Sequence, residues 1–132
     1  MRVKIDHLDK LTSEYVRKRA IKTVGGCERC LTPKYDIVKE DGSVYPAWKQ
    51  LQASHFHSRR KHSVRYDPEN LVALDFGCHQ YFHENPREFE RWFQCHIGER
   101  NYDMLQARAS KTQRVDKDLT KLYLENQIRE LG

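Results

Sequence analysis

Cysteine and histidine are the residues that most constrain how this chain can fold, because its aliphatic content is low. Only 29 of its 132 residues are Leu, Ile, Val or Phe, close to the share of about 20% that is typical of highly charged disordered chains. A chain of this length normally buries enough surface for one core. An additional source of stability is therefore expected, and four Cys and seven His make bound metal the first hypothesis.

The start of the chain bears on the chemical state of the cysteines. Residues 1–7 contain no apolar signal core, and the longest apolar runs, such as 71–74, are far too short to span a membrane. We therefore expect a cytoplasmic protein with no membrane partner. In a reducing compartment metal ligation is a better interpretation of four cysteines than disulfides. The net charge of +5 favours a polyanionic partner, though only modestly.

Periodicity and turn signals predict an α+β chain. Apolar residues recur at helical spacing over about 8–22, which predicts a basic amphipathic helix. The pair Asp41-Gly42 favours a two-residue β-hairpin. Strands are expected over 51–56 and 71–74, separated by a cation-rich loop, and a helix is expected over 78–84.

Three further helices are predicted after that point. Asn85 is expected to be the N-cap of the first, with Pro86 at its first position and Glu88 completing a capping box. Gly98 should end this helix. Two more helices, over about 101–109 and 115–131, carry no recognisable motif.

The spacing of four polar residues is informative about chemistry: His55, Asn70, His79 and His83. His79 and His83 are four residues apart, so on a helix they share one face and could bind one metal ion. A strand–turn–strand unit ahead of that helix would bring His55 and Asn70 back over the same face.

The segments around these residues resemble the HNH endonucleases, the family with the ββα-metal fold. The resemblance is carried by Ala53-Ser54-His55-Phe56, by Tyr66-Asp67-Pro68-Glu69-Asn70-Leu71-Val72 and by Cys78-His79-Gln80-Tyr81-Phe82-His83. The surroundings are similar to small phage and prophage members, including the NinG recombination-protein group. This implies a bacterial or phage-infected host cell.

The resemblance also implies a division of the chain. One HNH nuclease domain would cover 1–132, with an N-terminal helix in 1–26, a metal-bound ββα core in 27–84 and a helical extension in 85–132. The fold class expected is therefore α+β: a ββα-metal core with an N-terminal basic helix, a β-hairpin insertion and C-terminal helices.

The family's roles can be assigned to matching positions. His55 would be the general base that activates water, and Asn70 would fix the loop and orient that histidine. His79 and His83 would bind a divalent ion (Mg²⁺, Mn²⁺ or Zn²⁺), which stabilises charge during phosphodiester hydrolysis. The family usually has a metal ligand just before the base. Here that residue is Ser54, so the ligand count and the metal preference stay open.

Many members of the family also hold a structural zinc with two CxxC pairs. In this chain the first pair is complete, Cys27 and Cys30, but the second has Asp75 in place of a cysteine, followed by Cys78. A Cys3Asp zinc site is chemically possible, although thiolates are the preferred ligands.

The fourth zinc ligand has alternatives. Cys95, beside His96, is a rival to Asp75, and it could equally be a buried small apolar residue. Asp75 could instead join the catalytic ion, because residues 75, 79 and 83 are spaced at i, i+4 and i+8.

The loop between the base and the asparagine is strongly cationic. Residues 57–65 include Arg59, Arg60, Lys61 and Arg65, and arginine can engage phosphate oxygens with two hydrogen bonds. These four are the expected contacts to the DNA backbone. The alternative is a solubilising loop.

Three functions remain open at this stage. The first is a metal-dependent HNH endonuclease that acts on DNA. The second is a non-catalytic, zinc-stapled DNA-binding module, and the third is a structure-selective junction resolvase or recombination factor. The oligomeric state is also open, and a homodimer is one way to cut both strands.

Overall fold

The computed structural model describes residues 3–132 and shows an α+β chain. Within these residues there are five α-helices and two small antiparallel sheets of two strands each. The helices are α1 (His7–Val24), α2 (Phe76–Glu84), α3 (Pro86–Ile97), α4 (Glu99–Ala109) and α5 (Lys117–Glu130). The strands are β1 (Ile37–Val38), β2 (Val44–Tyr45), β3 (Gln52–His55) and β4 (Leu71–Leu74). None of the described helices has the length and apolarity required to cross a bilayer.

Helix α1 confirms the predicted basic helix and extends it at both ends. Asp6 is its N-cap and forms a reciprocal capping box with Asp9, each carboxylate accepting a backbone N–H of the other residue at 2.9 Å. This arrangement satisfies two amide groups that the first helical turn leaves without partners. The helix ends at Gly25.

The hairpin formed by β1 and β2 has a longer loop than the sequence predicted. Val38 pairs with Val44, and the N–H of Lys39 donates to the carbonyl of Ser43 at 2.8 Å. Three residues, 40–42, therefore form the loop instead of two. Gly42 has a φ of +85°, the left-handed position that follows a type I turn in three-residue hairpins.

Strands β3 and β4 pair side by side, with Ser54 opposite Val72 and His55 opposite Leu71. All four residues of β4 are buried, which confirms the buried strand predicted at 71–74. Helix α2 follows β4 after a single residue, Asp75. The order is therefore strand, strand, helix, with α2 packed on both strands.

The junction between α2 and α3 corrects the prediction of a capping box at Asn85. The Asn85 side chain makes no capping bond to α3; its Nδ2 instead donates to the carbonyl of Tyr81 at 2.9 Å, near the end of α2. The Glu88 carboxylate accepts a hydrogen bond from the Tyr81 hydroxyl. With only one residue between the two helices, the side chain that could cap α3 satisfies the end of α2.

Aromatic rings provide much of the core and so compensate for the low aliphatic content of the chain. Phe56 stacks on Phe93 with ring centroids 4.3 Å apart, and Phe82 stacks on Phe89 at 4.9 Å. Tyr102 of α4 meets Phe56 edge-on. Such ring pairs add stability beyond the area that they bury.

A buried ion pair joins α1 to the loop before β4. Arg65 and Asp9 are 8% and 5% exposed. Their side chains meet through two contacts, Nη2 to Oδ2 at 2.6 Å and Nε to Oδ1 at 3.1 Å. Arg65 Nη2 also donates to the carbonyl of Lys4 at 2.8 Å.

We expect Asp9→Asn to lower the free energy of unfolding by about 3–5 kcal/mol, because the buried Arg65 guanidinium would lose its counter-ion. The matched control is Glu14→Gln, which breaks the partly exposed α1 pair between Glu14 and Lys18 and should cost less than about 1 kcal/mol. Urea unfolding followed by circular dichroism measures both. Equal costs would contradict the structural role of the buried pair.

Candidate metal centre and adjoining groove

An open groove of about 430 Å³ lies where β3, α2 and α3 meet. Three of the histidines singled out from the sequence line it together, namely His55, His79 and His83. Ser54, Arg59, Pro86 and Phe89 are also part of its wall. The groove therefore brings three imidazoles, a hydroxyl and a guanidinium together in one concave site.

His55 is the last residue of β3 and is partly buried. Burial is the main cause that lowers its pKa to about 4, and the nearby charge of Arg59 lowers it further. The negative charge of Asp9 and a hydrogen bond with the backbone of Arg65 act in the opposite direction. The imidazole is therefore neutral at pH 7, the form that can accept a proton.

Asn70 holds the loop that follows His55. It is fully buried, its Oδ1 accepts the N–H of His57 at 2.8 Å, and its Nδ2 donates to the carbonyl of the same residue at 2.9 Å. A third bond joins Nδ2 to the carbonyl of Val64 at 3.2 Å. Asn70 thus fixes backbone on both sides of the cationic loop and does not line the groove itself.

His79 and His83 lie one turn apart on α2 and offer imidazole nitrogens to the groove. Burial, together with the neighbouring His83, lowers the pKa of His79. Nδ1 of His79 lies 2.5 Å from the Ser54 hydroxyl oxygen, which leaves its Nε2 for another partner. Two imidazoles are a donor set that suits a divalent transition metal.

A second group of potential ligands is more compact. One ligand atom from each of Cys27, Cys30, Asp75 and Cys78 lies within 4.8 Å of the others. Three sulfurs and one carboxylate oxygen are suitable for tetrahedral zinc. These four residues, the cysteine group, could therefore hold a structural metal such as zinc.

The cysteine group is assembled around the first turn of α2. Asp75 is the N-cap of α2: its Oδ1 accepts the N–H of Cys78 at 2.8 Å, and its Oδ2 accepts a bond from Cys30 Sγ at 3.0 Å. Burial raises the pKa of the Cys78 thiol to about 12. Metal binding would have to displace that proton, so it should become stronger as the pH rises.

The turn that carries Cys27 and Cys30 is anchored to β4. The N–H of Glu28 donates to the carbonyl of Ala73 at 3.0 Å, and its carboxylate accepts the N–H of the same residue at 2.6 Å. Gly26 allows the backbone at the two ends of this turn to approach closely, because a Cβ there would lie 2.0 Å from the carbonyl oxygen of Thr32. This role of Glu28 is not apparent from the sequence, where its position inside the CxxC is the available signal.

The geometry favours one of the alternatives for the fourth ligand. Cys95 is exposed on α3 and is not part of the cysteine group among residues 3–132. Its interpretation as a buried apolar residue is therefore wrong. Asp75 bonds to Cys30 and caps Cys78, so its carboxylate belongs with the cysteines and not with the histidines of the groove.

The four cations of the loop are in different environments. Arg59 lines the groove, and within the described chain its buried Nε has no hydrogen-bond partner, although Asp9 lies 3.8 Å away. Arg60 and Lys61 are exposed. Arg65, expected to contact DNA, is instead buried against Asp9, because the capped end of α1 supplies a carboxylate that sequence spacing did not reveal.

No protein-family model, curated protein or solved structure matches this chain. The resemblance to HNH endonucleases thus stays a prediction from the residues quoted above.

We expect the purified chain to hold about one equivalent of zinc, which Cys30→Ser should greatly weaken because it removes a ligand of the cysteine group. Cys95→Ser is the matched control, since it changes another exposed cysteine that lies outside the group. Metal content measured by mass spectrometry, and the midpoint of thermal unfolding before and after chelation, test this. Zinc loss that is equal in the two variants would contradict the assignment.

The low pKa of His55 predicts a pH dependence of stability. Below the ordinary pKa of 6.5 the unfolded chain binds a proton at this position, whereas the folded chain does not until about pH 4. The free energy of unfolding should therefore fall as the pH decreases from 6.5 to 4, by at most about 1.4 kcal/mol per pH unit from this group. In His55→Gln the slope over this window should be smaller, as measured by urea unfolding of chelator-treated protein. If the free energy of unfolding depended on pH equally in the wild type and His55→Gln, the low pKa assigned to His55 would be contradicted.

Proposed function

We propose that this chain is a metal-dependent HNH endonuclease that hydrolyses phosphodiester bonds of DNA in the cytoplasm of a bacterial or phage-infected cell. The observation that carries the proposal is the groove shared by His55, His79, His83 and Arg59. A base, two metal-binding nitrogens and a cation are the groups required for hydrolysis of a phosphodiester, and here they face one cavity.

The local fold supports the proposal. β3, β4 and α2 follow one another and pack together, which is the element order of the ββα-metal fold. His55 ends the first strand, and Asn70 immediately precedes the second. The two histidines are on the helix. The sequence resemblance requires the same four positions.

Each residue then has a distinct task. Neutral His55 accepts a proton from the attacking water, and its place at the end of β3 fixes the backbone that carries the ring. Asn70 holds the backbone that follows His55. A divalent ion on His79 and His83 (Mg²⁺, Mn²⁺ or Zn²⁺) would supply positive charge for the transition state and the leaving 3′ oxygen.

Contacts with the DNA backbone are assigned to three of the loop cations. Arg59 lines the groove together with His55. Its guanidinium is suited to a phosphate oxygen in the groove, with which it would form charge-assisted hydrogen bonds. Arg60 and Lys61 would extend the contact along the DNA strand. Arg65 is not assigned to DNA because its guanidinium is paired with Asp9.

One observation favours a second candidate function. Ser54 bonds to His79 and provides no carboxylate or imidazole to the ion, so the groove has fewer metal ligands than the family norm. A non-catalytic, zinc-stapled DNA-binding module would have the same fold and the same cationic loop. A junction resolvase is a more specific form of the first function.

The test is a nicking assay on supercoiled plasmid with Mg²⁺, Mn²⁺ or Zn²⁺. We expect metal-dependent nicking that falls about 10²- to 10⁴-fold in His55→Ala, the range typical of losing a general base. His7→Ala is the matched control, because His7 is exposed at the start of α1, and it should cleave at the wild-type rate.

Other outcomes separate the candidates. DNA binding without cleavage in any metal would favour the module, and metal-dependent cleavage that survives His55→Ala would contradict the assigned base. Faster cleavage of a four-way junction than of linear duplex would identify a resolvase.

A further inference from the structure

Ser54 occupies the position where the family usually has a metal ligand, and its surroundings suggest a different role. The residue lies on β3, is 6% exposed and lines the groove. Its Oγ lies 2.5 Å from Nδ1 of His79, a residue of the neighbouring helix.

This distance indicates a hydrogen bond and not a shared ion. Two atoms that ligate one ion at about 2.0–2.2 Å are about 3 Å or more apart in ordinary tetrahedral or octahedral geometry. Ser54 Oγ and His79 Nδ1 are closer than that. In this arrangement the two atoms are too close together to ligate one ion.

The hydrogen bond determines which nitrogen of His79 is free. A neutral imidazole has one N–H and one lone pair, and the partner of the first nitrogen determines where the lone pair lies. If Nδ1–H donates to Ser54 Oγ, then Nε2 has the lone pair. Protein ligands in metal sites are commonly oriented in this way by a second residue behind them.

We propose that Ser54 is a positioning residue: its hydroxyl oxygen accepts the Nδ1–H bond of His79 and presents Nε2 of that ring to a divalent cation in the groove. This inference rests on the proposed function, since it takes His79 to be a ligand of the catalytic ion. It gives Ser54 a task without requiring a hydroxyl to serve as a weak ligand.

A consequence is a metal preference for the groove. With Ser54 behind His79, the protein ligands are two imidazole nitrogens and no carboxylate. Imidazole suits ions such as Ni²⁺ and Zn²⁺, whereas Mg²⁺ prefers oxygen ligands. We expect Ni²⁺ to bind the groove more tightly than Mg²⁺.

The first test determines the tautomer of His79 directly. Long-range ¹H–¹⁵N spectra of the full chain, with zinc in the cysteine group and no other metal, show which ring nitrogen carries hydrogen. We expect Nδ1–H in the wild type and a shift toward Nε2–H in Ser54→Ala. Ser54→Thr keeps the hydroxyl and should retain Nδ1–H. An Nε2–H ring in the wild type would overturn the proposal, and this result requires no variant to fold.

The second test measures Ni²⁺ affinity of the same zinc-loaded protein by calorimetry. Ser54→Ala should weaken binding about 10- to 100-fold, the usual effect of removing a residue that orients a ligand. Ser110→Ala changes an exposed serine at the end of α4 and should leave the affinity unchanged. Equal affinities for wild type and Ser54→Ala would overturn the proposal.

The two proposals fail in different ways. The expected tautomer and Ni²⁺ affinities in a chain that cleaves no DNA would contradict the endonuclease function and support the role of Ser54. Nicking that depends on His55, with an unchanged Ni²⁺ affinity in Ser54→Ala, would overturn the role of Ser54 alone.

Discussion

The anchoring of α2 at its first turn positions both the cysteine group and the groove histidines that are proposed as metal ligands. Asp75 caps the helix and bonds to Cys30, and Cys78 lies in the cysteine group. The next residue, His79, lines the groove. Consecutive helical residues point about 100° apart, so one short helix serves two sites. Any tilt of α2 at the cysteine group would therefore displace the histidines.

The two residues that follow His55, the proposed base, are each anchored to a different part of the fold. Phe56 stacks on Phe93 in the aromatic core, and the backbone of His57 is held by Asn70. His55 itself is in β3, paired with Leu71. Because each of these two residues has its own anchor, the His55 imidazole occupies a defined place although the loop that follows it is rich in charged side chains.

Local signals in the sequence predicted the parts of the structure that depend on neighbouring residues. The buried strand 71–74 and the helix that ends at Gly98 follow from apolar runs and a helix stop, and both are confirmed. The grouping of Asp75 with three cysteines followed from resemblance, and it is compact in the fold. The predicted length of the hairpin loop was wrong because Asp-Gly pairs fit three-residue loops as well as two-residue loops.

The parts that sequence could not supply depend on distant partners. Arg65 looked like its neighbours in a cationic run, yet Asp9, 56 positions earlier, holds it in the interior. Asn85 is a residue type that favours the N-cap position, but its side chain bonds to the end of α2 instead. Ser54 was visible only as a departure from a pattern, since its meaning depends on the position of the His79 ring. In each case the sequence suggests one role for a polar side chain: a surface cation, a helix cap or a metal ligand. The fold instead supplies a hydrogen-bond partner that the sequence does not reveal.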